Sequence, residues 1–181
     1  MNKTPKAVNV RGGSRQKKRG AYCTPKDLAI AVGHRDVDPF SNPHAHILTD
    51  ASCMLERGDD GFGDGTPGSY SIAGVGTFRA TEDTSVWFQP DYRFVQRAFD
   101  HYQHTRWTCL LRFDPRTDWM KRIYRQSELV CVLWGIEFEP PPGVPAGGGN
   151  SFPHALYYRR AADVTPAVLQ RTIAWRTNHV A

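Results

Sequence analysis

Short apolar runs alternate with amphipathic stretches along most of the chain, and this pattern predicts strands and helices in alternation. Residues 86–88, 107–113 and 129–138 are almost continuously apolar, which is typical of strands buried on both faces of a sheet. Between the first two runs, residues 93–103 carry apolar side chains at helical spacing. The alternation predicts a layered α/β domain.

Shorter signals mark the remaining elements. Thr24 before Pro25 has the form of an N-cap followed by the first residue of a helix, and Gly33 would end that helix. Residues 35–40 indicate a short strand that runs into a turn at 41–43. We also expect a short helix at 45–55, a long loop or loose hairpin at 63–85, a helix at 119–125, a loop at 140–149, a last strand at 155–158 and a C-terminal helix at about 166–175.

The length and composition are those of one domain. The chain has 181 residues, of which 40% are apolar, and this is enough for a single core. We expect a flexible arm at 1–20, the domain at 21–160, and a C-terminal helix within 161–181 that packs on the domain or lies beside it.

No apolar run approaches the roughly 20 residues of a membrane helix, so a cytoplasmic protein without a membrane partner is expected. The 4 cysteines lack Cys-x-x-Cys spacing, which indicates reduced thiols that pack in the core.

Positive charge is concentrated at the N-terminus. The net charge is +5, and the arm at 1–20 holds seven lysines and arginines, among them Lys17, Lys18 and Arg19, and no acidic residue. Such an arm suits the phosphate backbone of DNA. A disordered, solubilising terminus has the same composition, so the charge run alone does not separate the two interpretations.

Residues 86–92 (Val-Trp-Phe-Gln-Pro-Asp-Tyr) run from a buried strand into a group of polar functions. Pro90 cannot continue a central strand, so the strand ends near it. The amide of Gln89, the backbone carbonyl of Pro90, the carboxylate of Asp91 and the phenol of Tyr92 therefore meet at one strand end. Because ligands of α/β sheets bind at strand ends, this corner is the predicted functional site.

Six short motifs in a fixed order resemble those of the phage-type DNA N-6-adenine methyltransferases, a family that uses S-adenosyl-L-methionine (AdoMet). The motifs are an aromatic-x-Thr-Pro opening (22–25), Asp-Pro-Phe-Ser-Asn-Pro (38–43), Asp-Asp-Gly-Phe (59–62), a strand ending in Pro-x-Tyr (90–92), Leu-Leu-Arg-Phe-Asp-Pro-Arg-Thr-Asp-Trp (110–119) and Gly-Ile-Glu-Phe with a Pro-Pro-Gly loop (135–143). Each motif is weak by itself, but six in one order are hard to obtain by chance. The resemblance covers roughly residues 21–160 and implies a three-layer α/β/α sandwich with a mostly parallel sheet. It also suggests a phage or prophage protein that modifies DNA.

The resemblance implies where AdoMet would lie, because in such enzymes the Thr-Pro turn and the Asp-Pro-Phe turn lie on either side of this cofactor. The residues that it assigns to the cofactor site are Tyr22, Thr24, Pro25, Asp38, Pro39, Phe40, Asp59 and Asp60. Backbone amides near Thr24 suit the methionyl carboxylate of AdoMet, and Asp38 suits its ammonium group. The acidic pair Asp59 and Asp60 would lie beside either the adenosine of the cofactor or the target base.

The resemblance also assigns the methyl transfer to the strand end at Gln89. An exocyclic amine of adenine becomes nucleophilic when the site accepts its N–H protons, and family members do this with Asn or Asp, then Pro-Pro and an aromatic ring that stacks on the flipped base. Pro90 and Tyr92 match this pattern, whereas Gln89 replaces the Asn or Asp and Asp91 replaces the second proline. The longer Gln89 side chain displaces its oxygen by about 1.5 Å, and such a misplacement can cost roughly a hundredfold in rate.

Two functions are consistent with these motifs. The first is a DNA methyltransferase that transfers a methyl group from AdoMet to an exocyclic amino group, adenine N6 by resemblance, of a flipped base in duplex DNA. Arg116, in a polar turn with an ion pair to Asp114 or Asp118, would then contact DNA phosphates. The second is a methyltransferase-like protein that binds AdoMet or DNA without turnover, which the altered motif favours.

Metal and thiol chemistry have weaker support. A metal site would use His44 and His46 with His34 or Cys53, but no second ligand pair has zinc-like spacing. Cysteines within predicted core strands are more often packing groups than nucleophiles. We therefore expect neither a metal nor a catalytic thiol.

Overall fold

The computed structural model describes residues 23–144 and 153–170 of the chain. The helices are α1 (Lys26–Val32), α2 (Val95–Tyr102) and α3 (Asp118–Gln126). The strands are β1 (Arg35–Ser41), β2 (Thr49–Met54), β3 (Ser69–Ile72), β4 (Gly76–Arg79), β5 (Ser85–Phe88), β6 (Arg106–Arg112), β7 (Leu129–Leu133) and β8 (His154–Tyr158). Two short 3-10 helices cover Leu55–Arg57 and Ala161–Asp163, and residues 166–170 are also helical.

Six strands form one mostly parallel sheet in the order β2-β1-β5-β6-β8-β7. The first four are parallel to one another, whereas β8 is antiparallel to both β6 and β7. β3 and β4 form a separate antiparallel hairpin within the stretch that was predicted to be a long loop or loose hairpin. The prediction of an α/β domain with a mostly parallel sheet is confirmed.

Side chains on successive sheet residues enter two different cores, which shows that both faces of the sheet are covered. On β5, Val86 and Phe88 belong to the core beneath α2 and α3, while Trp87 belongs to the core beneath α1. β8 alternates in the same way, with Tyr157 on the first side and Tyr158 on the second. The described chain therefore has three layers, with the sheet in the middle.

The strongly periodic segments were predicted correctly to within a few residues, including α2, α3, β6 and β8. Gly33 ends α1 as predicted, with φ of +81° and its N–H bonded to the carbonyl of Ala29. The apolar run at 129–138 was predicted as one long strand, but β7 ends at Leu133, and Gly135 follows with φ of +66°. The predicted helix at 166–175 is described only as far as residue 170.

The predicted helix at residues 45–55 is wrong. Residues 42–48 cross over without a helix, and β2 then runs parallel to β1 with Thr49 opposite Arg35. A crossover of seven residues has to span the length of β1, and at about 3.3 Å per residue only an extended chain reaches that far. The demands of the parallel pairing therefore override the weak local helix signal.

Candidate active site

β1 lies at the point where the order of strands reverses, because the chain continues from β1 to β2 on one side and returns to β5 on the other. Such switch points open a crevice at the carboxyl ends of the strands, where ligands bind in α/β folds. A small cleft, part of it open to solvent, lies there. Its lining residues are Cys23, Thr24, Asp38, Phe40, Ser41, Asn42, Ala45, His46, Ile47, Trp87 and Gln89. Four of these were predicted as site residues: Thr24, Asp38, Phe40 and Gln89.

Asp38 is the carboxylate of this cleft. Its residue is only 3% exposed, and burial raises the pKa of its carboxyl to about 7. Hydrogen bonds from the backbone N–H of Phe40 (3.0 Å) and from the side chain of Ser41 favour the charged form but compensate only part of that burial. A buried carboxyl without a cationic partner is costly to ionise, so the cleft favours a ligand that brings a positive charge to Asp38.

Thr24 contacts Gln89 instead of capping α1, which corrects the prediction that it is the N-cap. The helix begins at Lys26 with Pro25 in the capping position, and Pro25 makes no side-chain cap hydrogen bond. Because Pro25 is extended (φ −52°, ψ 136°), Thr24 lies one residue too early to reach the free amides of the first turn. Its hydroxyl donates instead to Oε1 of Gln89 at 2.6 Å. This contact joins the predicted cofactor turn to the predicted catalytic strand end.

The Asp-Pro-Phe segment (38–40), predicted as a turn beside the cofactor, lies within β1 and is held in place by the acidic turn that follows β2. A Cβ atom added to Gly61 would lie 2.0 Å from the carbonyl oxygen of Pro39, so the two backbones touch. The ring of Phe62 packs against that of Phe40, with centroids 5.2 Å apart. Pro39 is buried by this contact, while Phe40 is half-buried and lines the cleft.

Asp59 and Asp60 lie outside the lining of the cleft. Asp59 accepts hydrogen bonds from the backbone N–H groups of Met54 (2.8 Å) and Ala73 (2.7 Å). Its ion pair with Arg57 holds the pKa of the Asp59 carboxyl down to about 2. Asp60 accepts the N–H of Phe62 at 2.8 Å. These carboxylates stabilise the turn, and among residues 23–144 and 153–170 none of their hydrogen-bond partners lines the cleft.

Pro90, Asp91 and Tyr92, the rest of the predicted catalytic motif, are not among the residues that line the cleft. Pro90 is buried, and the carboxylate of Asp91 accepts both Nε and Nη2 of Arg93 at 3.0 Å and also its backbone N–H. Arg93 therefore lowers the pKa of Asp91. Tyr92 is half exposed, and its hydroxyl accepts the backbone N–H of Arg112 at 3.1 Å.

Trp119 lies beside Tyr92 and was not predicted as a site residue. The two ring centroids are 6.3 Å apart with the planes at 45°. Trp119 stands in the first turn of α3, and Tyr92 follows β5, so the carboxyl ends of neighbouring strands bring them together. Together they form an aromatic surface next to the predicted catalytic motif.

The predicted DNA contact Arg116 is exposed, with 81% of its side chain accessible. It forms the expected ion pair with Asp114, through Nε at 2.9 Å and Nη2 at 3.1 Å. This pair repeats the geometry of Arg93 on Asp91 at the next strand end. The other predicted cations, Lys17, Lys18 and Arg19, and the predicted cofactor residue Tyr22 lie outside the described residues.

Two histidines of the metal alternative pair with carboxylates instead. His46 pairs with Glu139 at 2.7 Å, and His34 pairs with Asp50 at 3.0 Å. Within residues 23–144 and 153–170, the one cluster with metal-ligand spacing is His34, Asp36 and Asp50, at the opposite end of β1 from the cleft. All four cysteines are buried, as expected for thiols that pack in the interior, and none of them forms a disulfide.

Sequence reasoning missed one wall of the cleft, formed by the crossover at 42–48, and the contact of that wall with Glu139. Asn42 and His46 line the cleft from the crossover, which was predicted to enter a helix. Glu139 lies 93 residues from His46 in sequence, and nothing in the local pattern of either residue indicates their contact. A strand signal at 49–54 would have placed the crossover beside the end of β1.

Comparison of the chain with models of protein families, with curated proteins and with solved structures gives no match at the required level of significance. The resemblance to DNA methyltransferases therefore stays a prediction. None of the helices in the described ranges combines the length and apolar content needed to cross a membrane.

Proposed function

We propose that the chain is an AdoMet-dependent DNA methyltransferase that acts on an exocyclic amino group, with adenine N6 as the preferred target. The observation that carries this proposal is the convergence of Thr24, Asp38, Phe40 and Gln89 in one cleft at the switch point of the sheet. These residues come from three separated segments, and a family resemblance had assigned all of them to the cofactor or the reaction.

The chemistry of the cleft fits AdoMet. Asp38 is buried and lacks a cationic partner among its described contacts, so an ammonium group there would stabilise its charged form. Phe40 and Trp87 supply apolar surface to the same cleft. When bound, AdoMet supplies a methyl group already activated on a sulfonium centre. The protein then has to position the amine and accept hydrogen bonds from its N–H groups.

In this proposal Gln89 accepts a hydrogen bond from an N–H of the target amine. Its Oε1 already takes the Thr24 hydroxyl, and an amide oxygen has a second lone pair for another donor. The Thr24 bond fixes the Gln89 side chain, which offsets the extra freedom of its additional methylene. The Pro90 carbonyl is the second acceptor in this proposal, and Tyr92 with Trp119 provides the surface on which a flipped base stacks.

The sheet supports the same proposal at the level of fold. The mostly parallel sheet and its three layers agree with the architecture that the resemblance implies. This is an analogy of architecture, and function is argued from the cleft.

Duplex DNA is the proposed partner because exposed cations lie on or next to α2 and α3, the helices that begin beside Tyr92 and at Trp119. Exposed cations on or next to α2, α3 and the strand ends beside them are Arg93, Arg97, Arg116, Lys121 and Arg125. Such side chains contact phosphates and position a duplex without reading its sequence. The basic arm at 1–20 would add to this attraction.

A second function, AdoMet binding without transfer, is favoured by the geometry of Asp91. Its carboxylate is paired with Arg93 in the turn that starts α2, which makes it a weaker acceptor for the target amine. In this reading the cleft binds the cofactor and the altered motif leaves the methyl group in place.

Incubation of the protein with AdoMet labelled in the methyl group and unmethylated duplex DNA separates the two functions. The proposal predicts label in the DNA, an increase in rate for Gln89→Asn combined with Asp91→Pro, and loss of transfer for Tyr92→Ala. Cofactor binding without any transfer, in the wild type and in the restored motif, would favour the binding protein. Absence of both binding and transfer would contradict both functions.

A further inference from the structure

His46 and Glu139 form a histidine–carboxylate pair at the rim of the cleft. Nε2 of His46 is 2.7 Å from Oε2 of Glu139. The other carboxylate oxygen, Oε1, accepts the backbone N–H of Lys26 at 2.7 Å. The hydrogen bond from Lys26 is the main cause of a lowered pKa for Glu139, so this carboxylate is ionised at neutral pH. Both of its oxygens are acceptors only.

The ionised partner fixes the state of the imidazole. Because a carboxylate cannot donate, the proton of neutral His46 lies on Nε2, and Nδ1 is left as a hydrogen-bond acceptor. His46 lines the cleft, and 30% of its side chain is exposed. No hydrogen bond to Nδ1 is found within the described part of the chain, so this atom is available to a ligand.

Glu139 also ties together the segments that surround the cleft. Its backbone exchanges two hydrogen bonds with Cys23, at 2.9 and 3.0 Å, and Cys23 precedes Thr24 in the cleft lining. Its side chain links the start of α1, through Lys26, to the crossover, through His46. One residue therefore sets the distance between two walls of the cleft.

We propose that Glu139 is a positioning residue that holds His46 as a hydrogen-bond acceptor for the cleft ligand. This inference rests on the proposed function, because it identifies the ligand group as an amino or hydroxyl group of the adenosine part of AdoMet. The acidic turn was the expected partner of the adenosine, but the oxygens of Asp59 are taken by the backbone and by Arg57. His46 supplies an acceptor in the cleft lining, while Asp38 receives the cationic end of the same ligand.

Binding of AdoMet by three variants tests the acceptor. His46→Ala is expected to weaken binding about 3- to 10-fold, the effect of one lost neutral hydrogen bond. His46→Asn keeps an oxygen near the position of Nδ1 and is expected to restore most of the affinity. His44→Ala is the matched control, because His44 is exposed in the same crossover and does not line the cleft. Its affinity should equal that of the wild type.

Nitrogen NMR of the imidazole tests the positioning role, since a merely structural residue would not set the tautomer. The wild type should show His46 protonated on Nε2. Glu139→Gln keeps an acceptor for Lys26 and offers His46 an N–H donor, so the proton should move to Nδ1 and AdoMet affinity should fall as in His46→Ala. A wild-type proton on Nδ1, or AdoMet affinity unchanged in His46→Ala, overturns this inference alone. No binding of AdoMet by the wild type overturns the proposed function together with it.

Discussion

The hydroxyl of Thr24 donates to the amide oxygen of Gln89 at 2.6 Å, although 65 residues separate the two in sequence. Thr24 precedes the first helix, and Gln89 follows the central strand β5, so the bond ties the two sides of the cleft together. Gln89 is also the residue at which the chain departs from the methyltransferase pattern. Its longer side chain is therefore fixed by a partner, and this partner is itself part of the predicted cofactor turn.

Loss of this bond should be visible as coupling between the two residues. Thr24→Val and Gln89→Leu should each lower the free energy of unfolding. The loss in the double variant should differ from the sum of the two single losses by about 1 kcal/mol. Urea unfolding of the four proteins measures this difference. Thr117→Val is the control, because the Thr117 hydroxyl bonds to the carbonyl of Asp114 at 2.9 Å and is not connected to Gln89. Additive effects of Thr24→Val and Gln89→Leu would show that the bond contributes nothing.

Asp38 should make the protein less stable as the pH rises. Burial raises the pKa of its carboxyl from 3.8 to about 7, so between these values the folded state retains a proton that the unfolded state loses. Stability therefore falls through this window and stays low above it. Asp38→Asn cannot titrate, so the stability of the wild type relative to this variant should decrease from pH 4.5 to pH 8 in urea unfolding. If the unfolding free energies of the wild type and of Asp38→Asn changed equally with pH, a raised pKa for a buried Asp38 carboxyl would be contradicted.

Gly61 should tolerate no side chain. A Cβ atom there would lie 2.0 Å from the carbonyl oxygen of Pro39. Gly61→Ala must therefore push the Asp-Pro-Phe segment of β1 away from residue 61. We expect a loss of about 3 kcal/mol or more in the free energy of unfolding, together with weaker binding in the cleft. Gly65→Ala is the comparison, because its φ is +88° but the space around it is empty, and it should lose only about 1 kcal/mol. Equal losses of unfolding free energy in Gly61→Ala and Gly65→Ala would show that the backbone at Pro39 moves aside at no cost.

Asp59 should matter for stability and not for the cofactor. Asp59→Asn removes the charge that pairs with Arg57 and weakens two backbone hydrogen bonds, so the melting temperature should fall at pH 7. The pKa lowered to about 2 means that the wild type loses this contribution only as the pH falls below about 4. AdoMet affinity of the folded variant should equal that of the wild type. A folded variant that no longer binds AdoMet would return Asp59 to the cofactor site.

The layered architecture was predictable because it depends on local pattern. Continuous apolar runs indicated β5 and β6 as strands buried on both faces, and helical spacing indicated α2. β2 was missed because its sequence, Thr-Asp-Ala-Ser-Cys-Met, has neither period, and only pairing with β1 makes it a strand. The predicted helix at 45–55 failed for the same reason.

The candidate site was predictable in part. Residues at strand ends, such as Asp38 and Gln89, were identified because strand ends meet at one edge of a sheet. Contacts between distant segments were not, since the pairs Thr24 with Gln89 and His46 with Glu139 depend on how the layers pack. The role of Asp91 also escaped prediction, because its bond to Arg93 is a property of the turn and not of the family motif.

Calorimetric titration with AdoMet at pH 8 tests most directly whether the cleft at Asp38 is a cofactor site. The wild type should bind one AdoMet per chain, and Asp38→Asn should bind about 10- to 100-fold more weakly, as expected for the loss of a charged hydrogen-bond partner. Asp50→Asn, an exposed acid at the start of β2 and outside the cleft, should bind like the wild type. No binding by the wild type, or equal binding by Asp38→Asn, would contradict the assignment of this cleft to AdoMet.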